Sequence, residues 1–258
     1  MEFPEPKNML ERAYHADLHI HSVLSPCADR EMIPHCIILE ALEKQLDMIA
    51  VTDHNSCENV RTSISLGERF GVWVIPGMEI ETREEIHFLT FFPTLDILES
   101  FYCFLQSHLH RVHIDESIWG EEWIVDEDGR IIEKKDYLLA YPLSFSVDEL
   151  YRAVKNWRGI IIPSHVDHGA YSIIRVLGFI PPNLDFPVLE ISPSISIKKA
   201  GMDFFLEKYR LACFSDAHTL SQIGSVHTDF IMEDRNWTEF EKAVYQKDGR
   251  DIFPVNGE

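Results

Sequence analysis

The stretch "ADLHIHSVLSPCAD", Ala16 to Asp29, sets two histidines one residue apart inside an apolar run, with an aspartate just ahead of them. Side chains two apart on a strand share a face, so this spacing places His19 and His21 together and Asp17 on the same side. A lone histidine on an apolar strand is ordinarily a core residue with a satisfied hydrogen bond. Two at this spacing bring metal ligation into play.

Outward from that strand, short apolar runs alternate with helical patterns. "DMIAVTDH" (47–54), "VWVIPGMEI" (72–80), "IHFLTFF" (86–92), "GIIIPSH" (159–165), "PVLEIS" (187–192), "LACFSDAH" (211–218) and "HTDFIME" (227–233) read as strands beside "DLHIH" (17–21). Helical patterns lie at 32–45, 95–112, 147–157, 200–209 and 237–246. This alternation is the mark of an α/β fold, and strands nearly continuous in Val, Ile and Leu are expected of a parallel sheet buried on both faces. One interruption, "EEWIVDEDGRIIEKK" (121–135), alternates around Asp128-Gly129 and reads as an inserted β-hairpin. With no repeat or linker, the 258 residues are expected to form a single domain, with a core over about 14–230 and a C-terminal helix at about 236–246.

The net charge of -20 argues against a protein that coats nucleic acid or an anionic membrane, since such surfaces are bound through excess Lys and Arg. Extended nucleic acid is therefore not an expected partner. The first residues show no secretory pattern, and no run reaches the roughly eighteen apolar residues of a membrane span. Five scattered cysteines without a CxxC pair fit a reduced, cytoplasmic setting.

The other strand ends repeat the chemistry of the first. "VTDHN" carries Asp53 and His54, "PGMEIE" Glu79, "EIHFL" His87, "PSHVDH" His165, and "FSDAH" both Asp216 and His218. A buried charge without a partner costs several kcal/mol. Metal ions supply that partner, and in an α/β barrel the carboxyl ends of the strands converge on one face.

The order HxH, TDH, E, H, SH, DAH resembles the PHP family of metal-dependent phosphoesterases, from about Tyr14 to about Phe230. The resemblance implies a distorted (β/α)7 TIM-like barrel holding two or three divalent metal ions, zinc, manganese or iron. It implies that His19, His21, Glu79 and Asp216 hold one ion, and that Glu79 bridges to a second completed by His87 and His165. A third would sit between His54, His218 and a group soon after the HxH. There "HSVLSPCADRE" carries Pro26 where the commoner pattern has aspartate; Asp29 is the preferred substitute, with Cys27 and Glu31 as rivals.

The implied reaction is hydrolysis of a small phosphomonoester or nucleotide phosphate by water activated between paired ions. His168, just past the SH element, is a candidate general acid, its bland alternative being an exposed loop histidine. Two other functions stand beside this one. An amidohydrolase-type C–N hydrolase uses a similar barrel, although no lysine lies at a strand end to bridge as a carbamate; a non-catalytic, metal-stabilised scaffold is the third.

Lesser candidates have plainer readings. Asp17, Asp53 and Glu190 are placed to orient ligand imidazoles. Arg175, Lys198 and Lys199 read as surface charge, and Ser194 and Ser196 offer only hydroxyls. His108, His110 and His113 read as a solvated helix C-terminus, where cationic groups are favoured. His15, His35 and His227 have no evident partner in the sequence.

Overall fold

The run RAYHADLHI forms the first strand, β1 (Arg12–Ile20), in the computed structural model, which describes residues 12–192 and 209–255. β1 pairs in parallel with β2 (Met48–Val51), which pairs in parallel with β3 (Trp73–Val74). Between them lie α1 (Pro34–Glu43) and α2 (Val60–Phe70). Pro34 begins α1, where its missing N–H costs nothing, and Gly71 at φ 88 closes α2 in the left-handed conformation. No helical pattern marked α2 in the sequence. Ser63 and Gly67 stand on its buried face where apolar residues would have signalled it, because that face packs closely on β3.

β4 (Gly77–Glu81) and β5 (His87–Phe91) form an antiparallel pair, and β5 runs antiparallel to β8 (Ile160–Pro163). Only 82–86 separate β4 from β5, too few for the crossover that parallel strands need, so a turn with Glu85 at φ 60 reverses the chain. Before β8 come α3 (Leu95–Leu105), the short α4 (Glu116–Trp119), the hairpin β6 (Trp123–Val125) and β7 (Ile131–Lys134), and α5 (Val147–Asn156). Ser146 and Glu149 cap α5 reciprocally. The hairpin is where the sequence placed it; it lies against the loop after β1, with Trp123 N–H donating to Val23 O and Asn59 bridging Ser22, Trp123 and Val125.

After α6 (Ile173–Leu177), β9 (Val188–Ile191) and β10 (Arg210–Cys213) pair in parallel. β11 (His227–Met232) then returns antiparallel to β1 and carries β12 (Asp251–Val255) on its far edge, with α7 (Trp237–Val244) between them. The parallel-sheet expectation thus holds for β1–β2–β3 and for β9–β10, within an arrangement that is otherwise antiparallel, a mixed α/β fold. Among the described residues the ladders form four separate sheets; the bridges Ile20 to Ala217 and His54 to Glu79 tie the β1 sheet to the segment after β10 and to β4, while the β6–β7 hairpin stands apart from them. The helix expected at 200–209 lies outside the described residues except for Tyr209; Ser194, Ser196, Lys198 and Lys199 lie wholly outside them.

Strands from three of these sheets share one apolar filling that includes Leu18, Met48, Leu89, Phe91, Ile160, Ile162, Val188, Phe214 and Phe230. Around it pack two further clusters that join the strands' other faces to the helices. The polar site described next lies where the strands run out of this filling.

Candidate metal centre

Glu79, on β4, is the hub. Its Oε1 lies 3.2 Å from His19 Nε2, 3.2 Å from His87 Nδ1 and 3.5 Å from His165 Nε2. Its Oε2 lies 3.1 Å from His54 Nδ1 and 3.5 Å from His21 Nε2. Asp216 Oδ1 stands 3.3 Å from both His19 Nε2 and His21 Nε2. His87 reaches this cluster from the amino end of its strand, not a carboxyl end; the antiparallel turn sets it opposite Glu81 at the end of β4. His165 and Asp216 adopt positive φ, 30° and 50°, just past the ends of β8 and β10. Such strained backbone costs on the order of 1–3 kcal/mol per residue and clusters at functional sites.

The tautomers follow from the groups behind the rings. Glu190 Oε1 takes the Nδ1 proton of His19 at 2.9 Å, and Nε2 faces the hub. Ser25 donates its hydroxyl proton to Asp53 at 2.7 Å, so its oxygen accepts from His21 Nδ1 at 3.0 Å, and the His21 Nε2 lone pair is left bare. The two Nε2 atoms stand 3.3 Å apart. Burial opposes protonation of His19, but the charges of Glu190, Asp216 and Glu79 outweigh it and hold the imidazole well above its usual pKa, so its Nε2 carries a proton where a metal ion could stand instead. Glu79 Oε1 and His54 Nδ1, both at the hub, are buried without a hydrogen-bond partner. Buried polar atoms that gather without satisfying one another fit a site shaped for positive ions.

The charges agree with that shape. Burial opposes ionisation of Glu79, but His87, His19 and His165 outweigh it and hold its carboxyl well below the usual range. Asp216 is likewise lowered against its burial by His19 and His21. His21 is pushed down to about 3 by burial and by its neighbour His54, which keeps it a neutral donor.

The loop after the HxH settles around Cys27. Consecutive turns, Ser25 N–H to Ser22 O and Ala28 N–H to Ser25 O, bring Cys27 Sγ to 3.4 Å from His54 Nε2. His21, Cys27, His54 and His218 then offer ligand atoms all within 4.8 Å of one another. His218 gives its Nδ1 proton to Asp216 O at 2.7 Å, which frees Nε2. Burial works against the Cys27 thiolate, yet His54 and His218 bring the thiol down to about 6. Asp29 and Glu31 are exposed and belong to no such group among the described residues; the Asp29 backbone N–H donates to His218 O.

Asp17 departs from its expected face. The pairing of β1 with β2 shifts register between Asp17 and Ile20, so the strand rotates before the histidines. Asp17 accepts instead from Ser215 N–H and Gly224 N–H, at 3.0 and 2.9 Å, and burial pushes its carboxyl up to about 6. Glu190 and Asp53 take the orienting positions. Glu190 also accepts the His165 N–H at 3.0 Å, and Asp53 holds Ser22 and Ser25.

The cluster forms the floor of a cavity of about 570 Å³. Ile118, Trp119, Pro26, Pro142 and Tyr171 line it higher up, with Tyr171 stacked on His87 at 4.6 Å. His168 also lines it, exposed, its Nδ1 3.3 Å from Ala170 O. Among the described residues no Lys or Arg lines the cavity, and Arg175 is exposed away from it. Glu81, two residues past Glu79, joins the lining; burial and then the charge of Glu79 push it up to about 7 despite His54. Sequence reading passed over Glu81, although "MEIE" shows the same two-apart spacing as HxH. Trp119 and Tyr171 gave no signal, because loop aromatics have no period. The helix expected to run to 112 ends at Leu105, with a 3-10 turn to His108, which packs on Phe145; His110 and His113 lie beyond it, and His113 bridges to Tyr137 and bonds to Asp136 O, so only His108 fits the helix-end reading. No helix among the described residues is long and apolar enough to cross a membrane.

Several known proteins are similar to this chain. The protein YqxK of Bacillus subtilis, itself uncharacterised, is 24% identical over 277 aligned residues, covering 94% of this chain and 65% of YqxK. The lesion-specific Endonuclease Q of Pyrococcus furiosus matches in structure with a TM-score of 0.68 at 20% identity, over 93% of this chain and 58% of that one. A complex of Endonuclease Q with a 27-mer duplex bearing an abasic lesion at its active site matches at 0.69. A two-domain protein of Bacteroides vulgatus, described as containing a predicted PHP-like metal-dependent phosphoesterase, matches at 0.58 and 16% identity, over 99% of this chain and 68% of that one. The chain thus spans less than two thirds of the length of YqxK and of Endonuclease Q. The family model of the PHP domain matches residues 17–253, and the chain belongs to that family.

Proposed function

We propose that this chain is a metal-dependent phosphoesterase whose centre is assembled on Glu79. The observation that carries the reading is the convergence of five imidazoles on the two oxygens of one buried carboxylate. Oε1 faces His19, His87 and His165 while Oε2 faces His21 and His54, so both oxygens have imidazoles beside them, with the His19–His21 pair shared between the two. In this reading His19, His21, Glu79 and Asp216 hold one ion, and Glu79, His87 and His165 a second. His54, His218 and Cys27, in place of Asp29, hold a third. Imidazole with carboxylate suits zinc, manganese or iron, and the thiolate adds weight to zinc at the third position. Bound there, such ions lower the pKa of water towards neutrality and neutralise phosphoryl oxygens.

The protein's own residues do the rest. Glu190 and the Ser25–Asp53 pair fix the rings of His19 and His21, and His168 stands at the cavity wall, where it can hand a proton to a leaving oxygen. We read the four sheets as one distorted (β/α)7-like barrel and the chain as a single PHP domain, with the hairpin and α4 forming part of the cavity's lining.

For the substrate, the apolar and aromatic upper wall of Pro26, Ile118, Trp119, Pro142 and Tyr171, with no Lys or Arg beside it among the described residues, favours a small phosphoester bearing a planar group, such as a nucleotide. Nucleic acid is the second reading. The net charge of -20 is no ground for excluding it, since the similar Endonuclease Q engages a DNA duplex. Purified protein, its metals counted, should turn over a panel of phosphomonoesters and cyclic or linear diesters only with manganese or zinc, and His19→Ala with His21→Ala should abolish both turnover and bound metal. Cleavage of abasic duplex DNA in place of small esters selects the second reading; hydrolysis of amides alone sinks both.

A further inference from the structure

A second group of ligand-type side chains lies outside this centre. His15 on β1 stands directly opposite Asp229 on β11, and His227 is two residues before Asp229 on the same strand. Register and alternation therefore bring all three to one face of the sheet, turned away from buried Tyr14, Ala16, Thr228 and Phe230. Asp229 Oδ1 lies 2.6 Å from His15 Nδ1 and 3.3 Å from His227 Nε2, and the imidazole centroids are 4.9 Å apart. Ligand atoms of the three all fall within 4.8 Å of one another.

We propose that His15, His227 and Asp229 form a separate divalent-cation site, of zinc type, on the outer face of the β1–β11 ladder. Two imidazoles and one carboxylate are a donor set that zinc accepts, with water in the fourth position. Ligands about 2.0–2.1 Å from a tetrahedral ion stand about 3.3 Å apart, the spacing already present between His227 and Asp229. The shorter contact to His15 must open by roughly 0.7 Å on that scale. A His15 side chain 44% exposed can swing that far, while Asp229, 12% exposed, stays anchored. Asp47, whose carboxylate accepts the His15 N–H at 3.0 Å, adds negative potential beside the site.

The site is distinct from the Glu79 centre. His15 precedes His19 by four residues, roughly 13 Å along a strand, and the register shift after Asp17 turns the two imidazoles to different faces. An ion here would staple β11 to the strand that carries His19 and His21, serving structure rather than turnover.

The test uses the holoprotein equilibrated with excess zinc, desalted, and its metal counted. His15→Gln and His227→Gln should each hold one zinc fewer per chain than wild type, with phosphoester turnover unchanged. Zinc should also shield His15 and His227 from diethyl pyrocarbonate in peptide maps. Equal zinc in wild type and both variants, or modification of these two histidines regardless of zinc, overturns the proposal. Melting in chelator, expected to be the same for all three proteins, separates lost ligation from a misfolded variant.

Discussion

Replacing Glu190 by glutamine tests whether the centre depends on the groups behind its ligands. Glu190 is buried, with one oxygen on His19 Nδ1–H at 2.9 Å and the other on the His165 N–H at 3.0 Å. Glutamine keeps one acceptor. One buried donor is then stranded, which costs about 1–3 kcal/mol of stability. Loss of the carboxylate also makes His19 a weaker base and loosens its ring. Such orienting groups are typically worth 10–100-fold in metal affinity or activity, or about 1.4–2.7 kcal/mol.

Asp17→Asn is the matched control. By sequence it shared the face of the histidines; in the structure its carboxylate binds Ser215 and Gly224 backbone groups and neither imidazole. It should change stability and leave metal affinity as it was. Competition of each purified variant with a chromogenic chelator for zinc or manganese measures affinity, and urea unfolding in excess chelator measures stability. Wild-type metal affinity in Glu190→Gln refutes the reasoning, as does an equal loss of affinity in Asp17→Asn.

Two further perturbations address the scaffold. Glu122, fully buried against the Leu139 N–H, is pushed from 4.5 up to about 8, first by burial, with Asp53 and Cys27 adding to it against that hydrogen bond and His54. Between those values the folded chain holds a proton that the unfolded chain has released, so stability falls as pH rises from about 4.5 to about 8 and then levels off. Glu122→Gln should remove that fall, with a gain at alkaline pH of at most roughly 4–5 kcal/mol and none below the lower value. Urea melts at acid and alkaline pH check it; a pH-independent difference from wild type counts against it. Gly67→Ala places a Cβ 2.5 Å from Val74 Cγ2 and 2.6 Å from Val72 O. Because a backbone oxygen cannot yield, α2 must lift from β3, and denaturant melts should show a loss of about 1–3 kcal/mol despite alanine's better helix propensity.

The sequence by itself determined most of the strands, because apolar runs bounded by turns have a short period, although it ran β3 and β4 together and did not mark β12. It also marked His19, His21, His54, Glu79, His87, His165, Asp216 and His218 as candidates, because ligand-type side chains in or beside apolar runs stand out in the linear chain, the pairs 19/21 and 216/218 by their two-apart spacing. Tertiary structure decided what spacing cannot encode. A register shift within β1 sent Asp17 to the opposite side from His19, and the short turn after β4 made β5 antiparallel and delivered His87 from the amino end. Two turns in "SPCAD" chose Cys27 over Asp29 as the neighbour of His54. Pairing across 214 residues joined His15 to Asp229. Periodicity reports which face a side chain takes within one element; which elements meet, and how a loop turns its side chains, depends on packing between residues far apart in the chain.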